Sequence, residues 1–375
     1  MNFDYTEEQT LLKDMVDRFV AERSAPEARR AVRKTPEGWS RALWKEMAEL
    51  GLLGVGVPEE NGGLGGGAVE TKLVMEAVGR GLATEPYLAS AVVATALLRL
   101  APQGARRGGL LGALAAGETV LAPALYERRG RYDLDHVETT AVKRGDGYVL
   151  NGAKSAVIGG GAAEGYLVSA RTAAGGGAGP VALFHVPAGA RGVNVSAARA
   201  LDGTPVAGLM LDDVAVPAAD AVIADHALPV ITHAVDHGIS ALAAEAVGAM
   251  RASIDLTADY LRTRKQFGRP IGQFQVLSHA CVDMFVHCED ASSASILAAG
   301  RVDSTDAAQR RRALSAAKVT VNKACRFVGQ TAIQLHGGIG MTEEYVIGDY
   351  FRKLITIEAL FGDTDHHLGL FASQG

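Results

Sequence analysis

The stretch "TIEALFGDTDHHL", residues 356–368, gathers Glu358, Asp363, Asp365, His366 and His367 into a short span. Carboxylates and imidazoles this close suggest two chemistries, metal binding and proton transfer. Adjacent histidines on a helix point roughly 100° apart, so chelation by both is awkward and no metal site is expected. Glu358 lies one turn before Phe361 and is a candidate proton acceptor. Asp363, Asp365 and the two histidines are expected to cap a helix or face solvent. The chain's three cysteines, Cys281, Cys288 and Cys325, form no CxxC pair, which points to reduced thiols. Cys281 and Cys288 are seven apart on an expected helix, the spacing of one packed face.

These residues must be held by elements that the periodicity outlines. Thr6 with Gln9 matches a capping box, and Leu11, Leu12, Met15, Val16, Phe19 and Val20 fall on one helical face behind it. A further helix is expected through "PEGWSRALWKEMAEL" up to the Gly-rich run after Asn61, then two more in "AVETKLVMEAVGRGLA" and "YLASAVVATALLRLA". Near Thr119 the pattern turns to short β-branched and apolar runs: "GDGYVLNGAK", "GYLVSAR", "GPVALFHVP" and "LMLDDVAVP" read as strands, with glycine clusters 159–161 and 175–177 as links. From about Leu228, residues 228–265, 273–300, 306–334 and 343–360 carry 3.6-period, Ala-rich faces suited to a bundle. The expected class is α+β: a helical domain at 1–118, a middle β-barrel or sandwich domain at 119–224, and a four-helix bundle at 225–375.

Composition narrows the function. Apolar residues make up 48% and charged residues 21%, values typical of a soluble globular chain, and the net charge of −5 gives no reason to expect a nucleic-acid partner. The longest apolar run, Leu88 to Leu98, is too short to span a bilayer, and "MNFDYTEEQTLLKD" is not a signal peptide, so a cytoplasmic location is expected. "NGGLGGGA" at 61–68 superficially fits a dinucleotide fingerprint, but no strand precedes it.

The order of domains, with "LRTRKQFGRPIGQFQ" at 261–275, "QLHGGIGMTEEY" at 334–345 and "GDGYVLNGAK" at 145–154, resembles the acyl-CoA dehydrogenase family over essentially the whole chain. The resemblance implies FAD as cofactor. A guanidinium binds phosphate oxygens through parallel hydrogen bonds, and glycines let the backbone approach phosphate closely. By resemblance Arg264, Gln266, Phe267, Gln334, Gly337 and Gly338 form the adenosine and pyrophosphate end of a FAD site that reaches into a neighbouring subunit. The family's flavin-ring motifs, Thr-Glu-Pro-x-x-Gly-Ser-Asp and, some thirty residues on, Trp-Ile-Thr, are not matched. Ala156, Val157 and Ile158 stand at the second.

The family's base is also missing. It sits in a Glu-Gly-Thr triplet at a fixed distance from Gly-Gly-x-Gly, and Phe361 occupies the glutamate's place. Members with the glutamate on the first bundle helix would place it at Gly238. Asp236 matches an aspartate that helps hold the CoA of the substrate. Three readings follow. One is the small subunit of a heteromeric acyl-CoA dehydrogenase, in which a larger subunit brings the base and the flavin-ring site. Strings such as "RYDLDHVETTA" and "FGDTDHHL" resemble the pimeloyl-CoA dehydrogenase small-subunit group, which implies a dicarboxylyl-CoA. The second is a self-sufficient homotetramer with Glu358 or Asp236 as base. The third is a non-catalytic scaffold or CoA-binding relative. For the enzyme readings the reaction is α,β-desaturation of an acyl-CoA, with electrons passing to an electron-transferring flavoprotein.

Overall fold

A computed structural model describes residues 4–174 and 177–373. The capping box forms as read. The Thr6 hydroxyl accepts from the Gln9 amide at 3.2 Å, and the Gln9 side-chain oxygen accepts from the Thr6 amide at 3.0 Å, starting α1 (Glu7–Arg23). After α2 (Pro26–Lys34), α3 (Arg41–Glu49) stops well short of Asn61. Gly51 turns the chain at φ +74°, and two 3₁₀ turns, Leu52–Gly54 and Glu59–Asn61, replace the expected continuation. Gly63 is required there, because a Cβ would lie 2.1 Å from the Val57 carbonyl oxygen. Beyond α4 (Ala68–Arg80), Leu88–Ala94 is π-helical and only Thr95–Leu100 (α5) is α-helical, although the sequence reads as one α-helix; α6 (Ala105–Ala115) follows.

The strands are β1 (Leu121–Ala124), β2 (Thr140–Arg144), β3 (Gly147–Ile158), β4 (Gly165–Ala174), β5 (Gly177–Pro187), β6 (Val193–Arg199), β7 (Pro205–Pro217) and β8 (Ala221–Ile223). They make one mixed sheet in the order β6-β7-β3-β2-β4-β5-β8, with β1 parallel to β4. β3 runs four residues beyond the "GDGYVLNGAK" stretch, and β1, β2, β6 and β8 are strands that the periodicity did not single out. The expected link at 175–177 falls, for residues 175 and 176, outside the described residues. The bundle region supplies α7 (Leu228–Thr263), the hairpin β9 (Lys265–Gln266) and β10 (Arg269–Pro270), α8 (Gln275–Arg301), α9 (Ala307–His336), α10 (Ile347–Ala359) and a short extra helix, α11 (Thr364–Ala372). No helix among the described residues is long and apolar enough to cross a membrane.

The chain folds as two compact units. One contains the sheet together with residues 32–67 and 84–238. Its apolar core is built from Leu150, Tyr166, Phe184, Leu209, Leu211 and Val214 on inward positions of β3, β4, β5 and β7. The other contains residues 1–31, 68–83 and 239–375. There α4 and α7 touch backbone to backbone. A Cβ on Gly79 would lie 1.9 Å from the Glu245 carbonyl oxygen, and one on Gly248 would lie 1.8 Å from that of Glu76. The close approach sets side chains of α4, α7, α8 and α10 into ion pairs: Lys72–Glu76 at 2.5 Å, Arg251–Glu76 at 3.6 Å, Arg251–Glu289 at 3.8 Å and Lys353–Glu245 at 3.0 Å. Cys288 is buried in α8 and Cys281 is partly exposed; neither Cys281, Cys288 nor Cys325 is in a disulfide.

Gly248→Ala must therefore push α4 from α7 and should lower unfolding free energy by about 1–3 kcal/mol. Gly109→Ala is the control, since its Cβ meets nothing within 4 Å. Sitting inside α6, it should instead stabilise by roughly 0.5–1 kcal/mol. Chemical denaturation of both variants reads the sign directly.

Candidate functional site

Arg264 follows the last turn of α7, its amide bonded to the Tyr260 carbonyl at 2.9 Å. The β9–β10 hairpin then turns on Phe267 and Gly268, with φ +53° and +81°. Two left-handed residues in a two-residue hairpin loop match the twist of the flanking strands. The turn throws the Phe267 ring outward, 90% exposed. Its centroid is 6.0 Å from that of Phe274, the rings standing 85° apart, and the Arg269 guanidinium lies over the Phe274 ring at 4.2 Å. Arg264 is exposed, and among the described residues no carboxylate pairs with its guanidinium. The exposed Gln266 side chain donates to the Lys265 carbonyl at 2.9 Å.

The second segment ends α9. Gln334, Gly337 and Gly338 are exposed, and Gly337 closes the helix at φ +62°. A Cβ on Gly337 or Gly338 would meet nothing within 4 Å, so the backbone there is open to an approaching group. An aromatic stack ties the two segments together. Tyr260, one turn before Arg264, lies on His336 at 4.5 Å, and His336 lies 5.1 Å from Tyr345. His336 Nδ1–H donates to the Ala332 carbonyl at 2.8 Å, and burial lowers the pKa of its ring. A free guanidinium, an exposed amide side chain, an exposed aromatic face and an unobstructed glycine pair are the donors and surfaces that an adenosine diphosphate moiety uses. These residues fit that half of FAD.

The 356–368 stretch is organised around the end of α10. Leu360 leaves the helix, Phe361 adopts φ +58° with its ring 6% exposed, and Gly362 follows at φ +125°. Asp363 caps α11 by accepting from the His366 amide at 2.9 Å, as read. His367 departs from the expectation of a solvent-facing residue. It is buried, its Nε2 donating to the Phe361 carbonyl at 3.1 Å and its Nδ1 accepting from Ser315 at 3.3 Å. Desolvation, then the nearby Lys318 and His366, push its pKa down to about 3, so the ring stays neutral. The His366 and His367 planes stand 82° apart. Glu358 is buried, and both its oxygens accept from Arg326, at 2.5 and 3.3 Å. With Asn322, Lys323, Arg326, Asp363, Thr364 and Asp365 it lines a cavity of about 370 Å³.

In the sheet unit, Ala156 sits at φ +51° within a bulge of β3 against β7, between Lys154 and Val157. Neither an aromatic ring nor a hydroxyl is offered at 156–158, so the segment does not fit a stacked flavin ring. What the sequence reading missed is Glu127, some thirty residues earlier. Its carboxylate accepts from Lys154 Nζ at 2.7 Å, from the Thr139 amide and hydroxyl at 3.0 and 2.7 Å, and from the Glu138 amide at 2.6 Å. Burial alone would raise its pKa; the Lys154 charge and these bonds outweigh that and hold it below the usual range. Burial lowers Lys154 to about 8, against the pull of Glu127. The spacing from Ala156, which matches the interval between the two flavin-ring motifs, was the available signal. Glu127, His136 and Glu138 each place a ligand atom within 4.8 Å of the others, but Glu127 is already committed to Lys154. Asp236 is buried at 2% exposure, with Arg99 bonded to its neighbour His237 at 3.2 Å. Ile239 is buried one turn on.

Comparison with known proteins gives a consistent picture. Residues 6–118, 122–214 and 228–375 match, in turn, the N-terminal, middle and C-terminal domain families of acyl-CoA dehydrogenase. The chain is 30% identical over 382 residues to the probable acyl-CoA dehydrogenase YngJ of Bacillus subtilis, covering 100% of this chain and 99% of that one. Among solved structures it is similar to a chain of the ChsE4-ChsE5 complex from Mycobacterium tuberculosis, with TM-score 0.89, 27% identity, and coverage of 100% of this chain and 98% of that one. It is also similar to a chain of the Tcur3481-Tcur3483 steroid ACAD, with TM-score 0.88, 29% identity, and coverage of 98% and 97%.

Glu127→Ala should strand the buried Lys154 ammonium and cost about 3–5 kcal/mol. Adding Lys154→Met to Glu127→Ala should recover part of that loss, and urea titrations of both single variants and the double variant measure the coupling.

Proposed function

Because the chain belongs to the acyl-CoA dehydrogenase family, FAD-dependent oxidoreductases acting on CH–CH bonds of acyl-CoA, we propose that it is the small subunit of a heteromeric member. It completes the adenosine and pyrophosphate end of a FAD whose ring and base come from a larger partner chain. One contrast carries this reading. The residues suited to a neighbour's cofactor, Arg264, Gln266, Phe267, Gln334, Gly337 and Gly338, all stand exposed, whereas a buried Phe361 ring holds the base position. FAD supplies a hydride acceptor when bound. This chain's part is to bind it: the Arg264 guanidinium pairs with phosphate, Gly337 and Gly338 admit it to the backbone, and Phe267 covers the adenosine. Asp236 helps hold the CoA of the substrate.

Two further observations support assembly. Val282, Phe285, Val286, Ile296 and Leu297 form an exposed apolar face along α8. The similar Mycobacterium tuberculosis structure is a complex of two named chains. The substrate class is an acyl-CoA desaturated at Cα–Cβ. Likeness to the pimeloyl-CoA dehydrogenase small-subunit group favours a dicarboxylyl-CoA, and the steroid relative favours a CoA ester of a steroid side chain. Electrons pass to an electron-transferring flavoprotein, and the complex works in the cytoplasm.

A self-sufficient homotetramer is the second reading. The buried Glu358 carboxylate lining its cavity favours it, because that is a carboxylate with room beside it. Glu358→Gln would then abolish turnover in protein made from this chain alone.

Arg264→Ala should weaken FAD binding in the mixed complex by about 1.5–3 kcal/mol, roughly ten- to a hundredfold, the worth of a charge-assisted pair. Flavin absorbance after gel filtration measures it, and unchanged FAD content would overturn the cross-subunit assignment.

A further inference from the structure

Lys318 lies in the middle of α9 with no exposed surface and no carboxylate bonded to it. Its three N–H groups meet three oxygens: Asn322 Oδ1 at 2.6 Å, the Ile357 carbonyl at 2.9 Å and the Glu358 carbonyl at 3.3 Å. The last two belong to the final turn of α10, whose C-terminal carbonyls carry its partial negative charge; the Ile357 carbonyl also accepts from the Leu360 amide at 3.3 Å. Asn322 in turn donates to the Gly362 carbonyl at 3.5 Å, and His367 holds the Phe361 carbonyl. Every carbonyl from Ile357 to Gly362, apart from those of Ala359 and Leu360, is thus gripped by one of these three side chains. We propose that Lys318, Asn322 and His367 form a clamp that fixes the end of α10 and the turn after it, residues 357–363, with Lys318 as the member whose release lets the segment change shape. The inference is independent of the subunit role, since it concerns only how this chain holds residue 361.

The members of the clamp respond differently to pH. His367 is neutral throughout. Desolvation brings the Lys318 pKa from 10.5 down to about 7, with Cys325 on α9, Glu358 on α10 and Asp363 in the turn opposing the shift. Burial pushes Cys325 up to about 12, out of the same window. Glu358 is paired with Arg326, and Asp363 is engaged as a helix cap. His367 also faces His366 and Arg311. An ammonium satisfies three acceptors, whereas a neutral amine offers two N–H groups and turns a lone pair on the third. The sign is specific. The fold gives up this proton before the unfolded chain does, so between about pH 7 and 10.5 Lys318 adds to global stability as pH rises. Over the same window the turn loses a bond. Local loosening alongside global stabilisation is a signature that plain packing would not give.

The test is backbone amide exchange of the full chain from about pH 6 to about pH 9, corrected for intrinsic rates, with the hydrogen-bonded amides that span the turn, Leu360, His366 and His367, compared to interior amides of α8. In the wild type, protection of the turn should fall roughly five- to tenfold relative to α8 as pH rises, the worth of one net hydrogen bond. In Lys318→Met the turn should be loose at every pH. Flat protection in the wild type would overturn the proposal without requiring any variant to fold. So would a pH effect that vanishes in His366→Gln, which would assign it to that imidazole.

Discussion

The contact on which one whole unit depends is the crossing of α4 and α7 at Gly79 and Gly248. Carbonyl oxygens of Glu245 and Glu76 occupy the space where side chains would be. Around this crossing the charges are paired: Arg251 of α7 with Glu76 of α4, Lys72 with Glu76 within α4, and Lys353 of α10 with Glu245 of α7. Removing one partner of such a pair would leave the other charge without compensation. The same crossing locates α10 through the Lys353–Glu245 pair, and the turn at Phe361 follows directly from the end of α10.

Two kinds of site are therefore built on one scaffold. The surface at the ends of α7 and α9 is open: a free guanidinium, an outward aromatic ring and a backbone without side chains. The turn after α10 is closed, with a buried ring in a left-handed conformation and its carbonyls held from α9 and α11. An exposed set leaves its donors to solvent, whereas a gripped turn has its carbonyls held from within the chain. The buried Glu127–Lys154 pair belongs to the second kind. It braces β3 against the β1–β2 connection.

Much of this was legible in the residues. The Thr6–Gln9 box, the Asp363 cap, the long Ala-rich helices and the strand runs follow local rules, and those rules hold. The elements that escaped notice are governed by contacts remote in sequence. α3 ends at Glu49 because Gly51 and Gly63 allow the chain to double back on Val57, which no helical periodicity records. His367 reads as polar and terminal, yet it is drawn inward by the Phe361 carbonyl and by Ser315, fifty-two residues away. Lys318 shares the buried face of α9 with Leu314, Val321 and Cys325, and the carbonyls that receive its N–H groups come from α10, about forty residues on. The exposure of Arg264 and Gly337 accords with their polar, glycine-rich segments, whereas burial of a charge leaves no such trace in a sequence.

The hairpin at Phe267 has a kinetic consequence. Its turn is already set by two left-handed residues, and its base is stapled by the Lys265–Pro270 and Gln266–Arg269 pairs and by Arg269 stacking on Phe274. A ring presented on a preformed tip needs little local ordering when it is covered. Encounter with whatever covers it is therefore governed by diffusion and orientation, without a slow folding step at the contact. Once seated, the tip has few alternative shapes through which to slip away, so dissociation must break the contact as a unit.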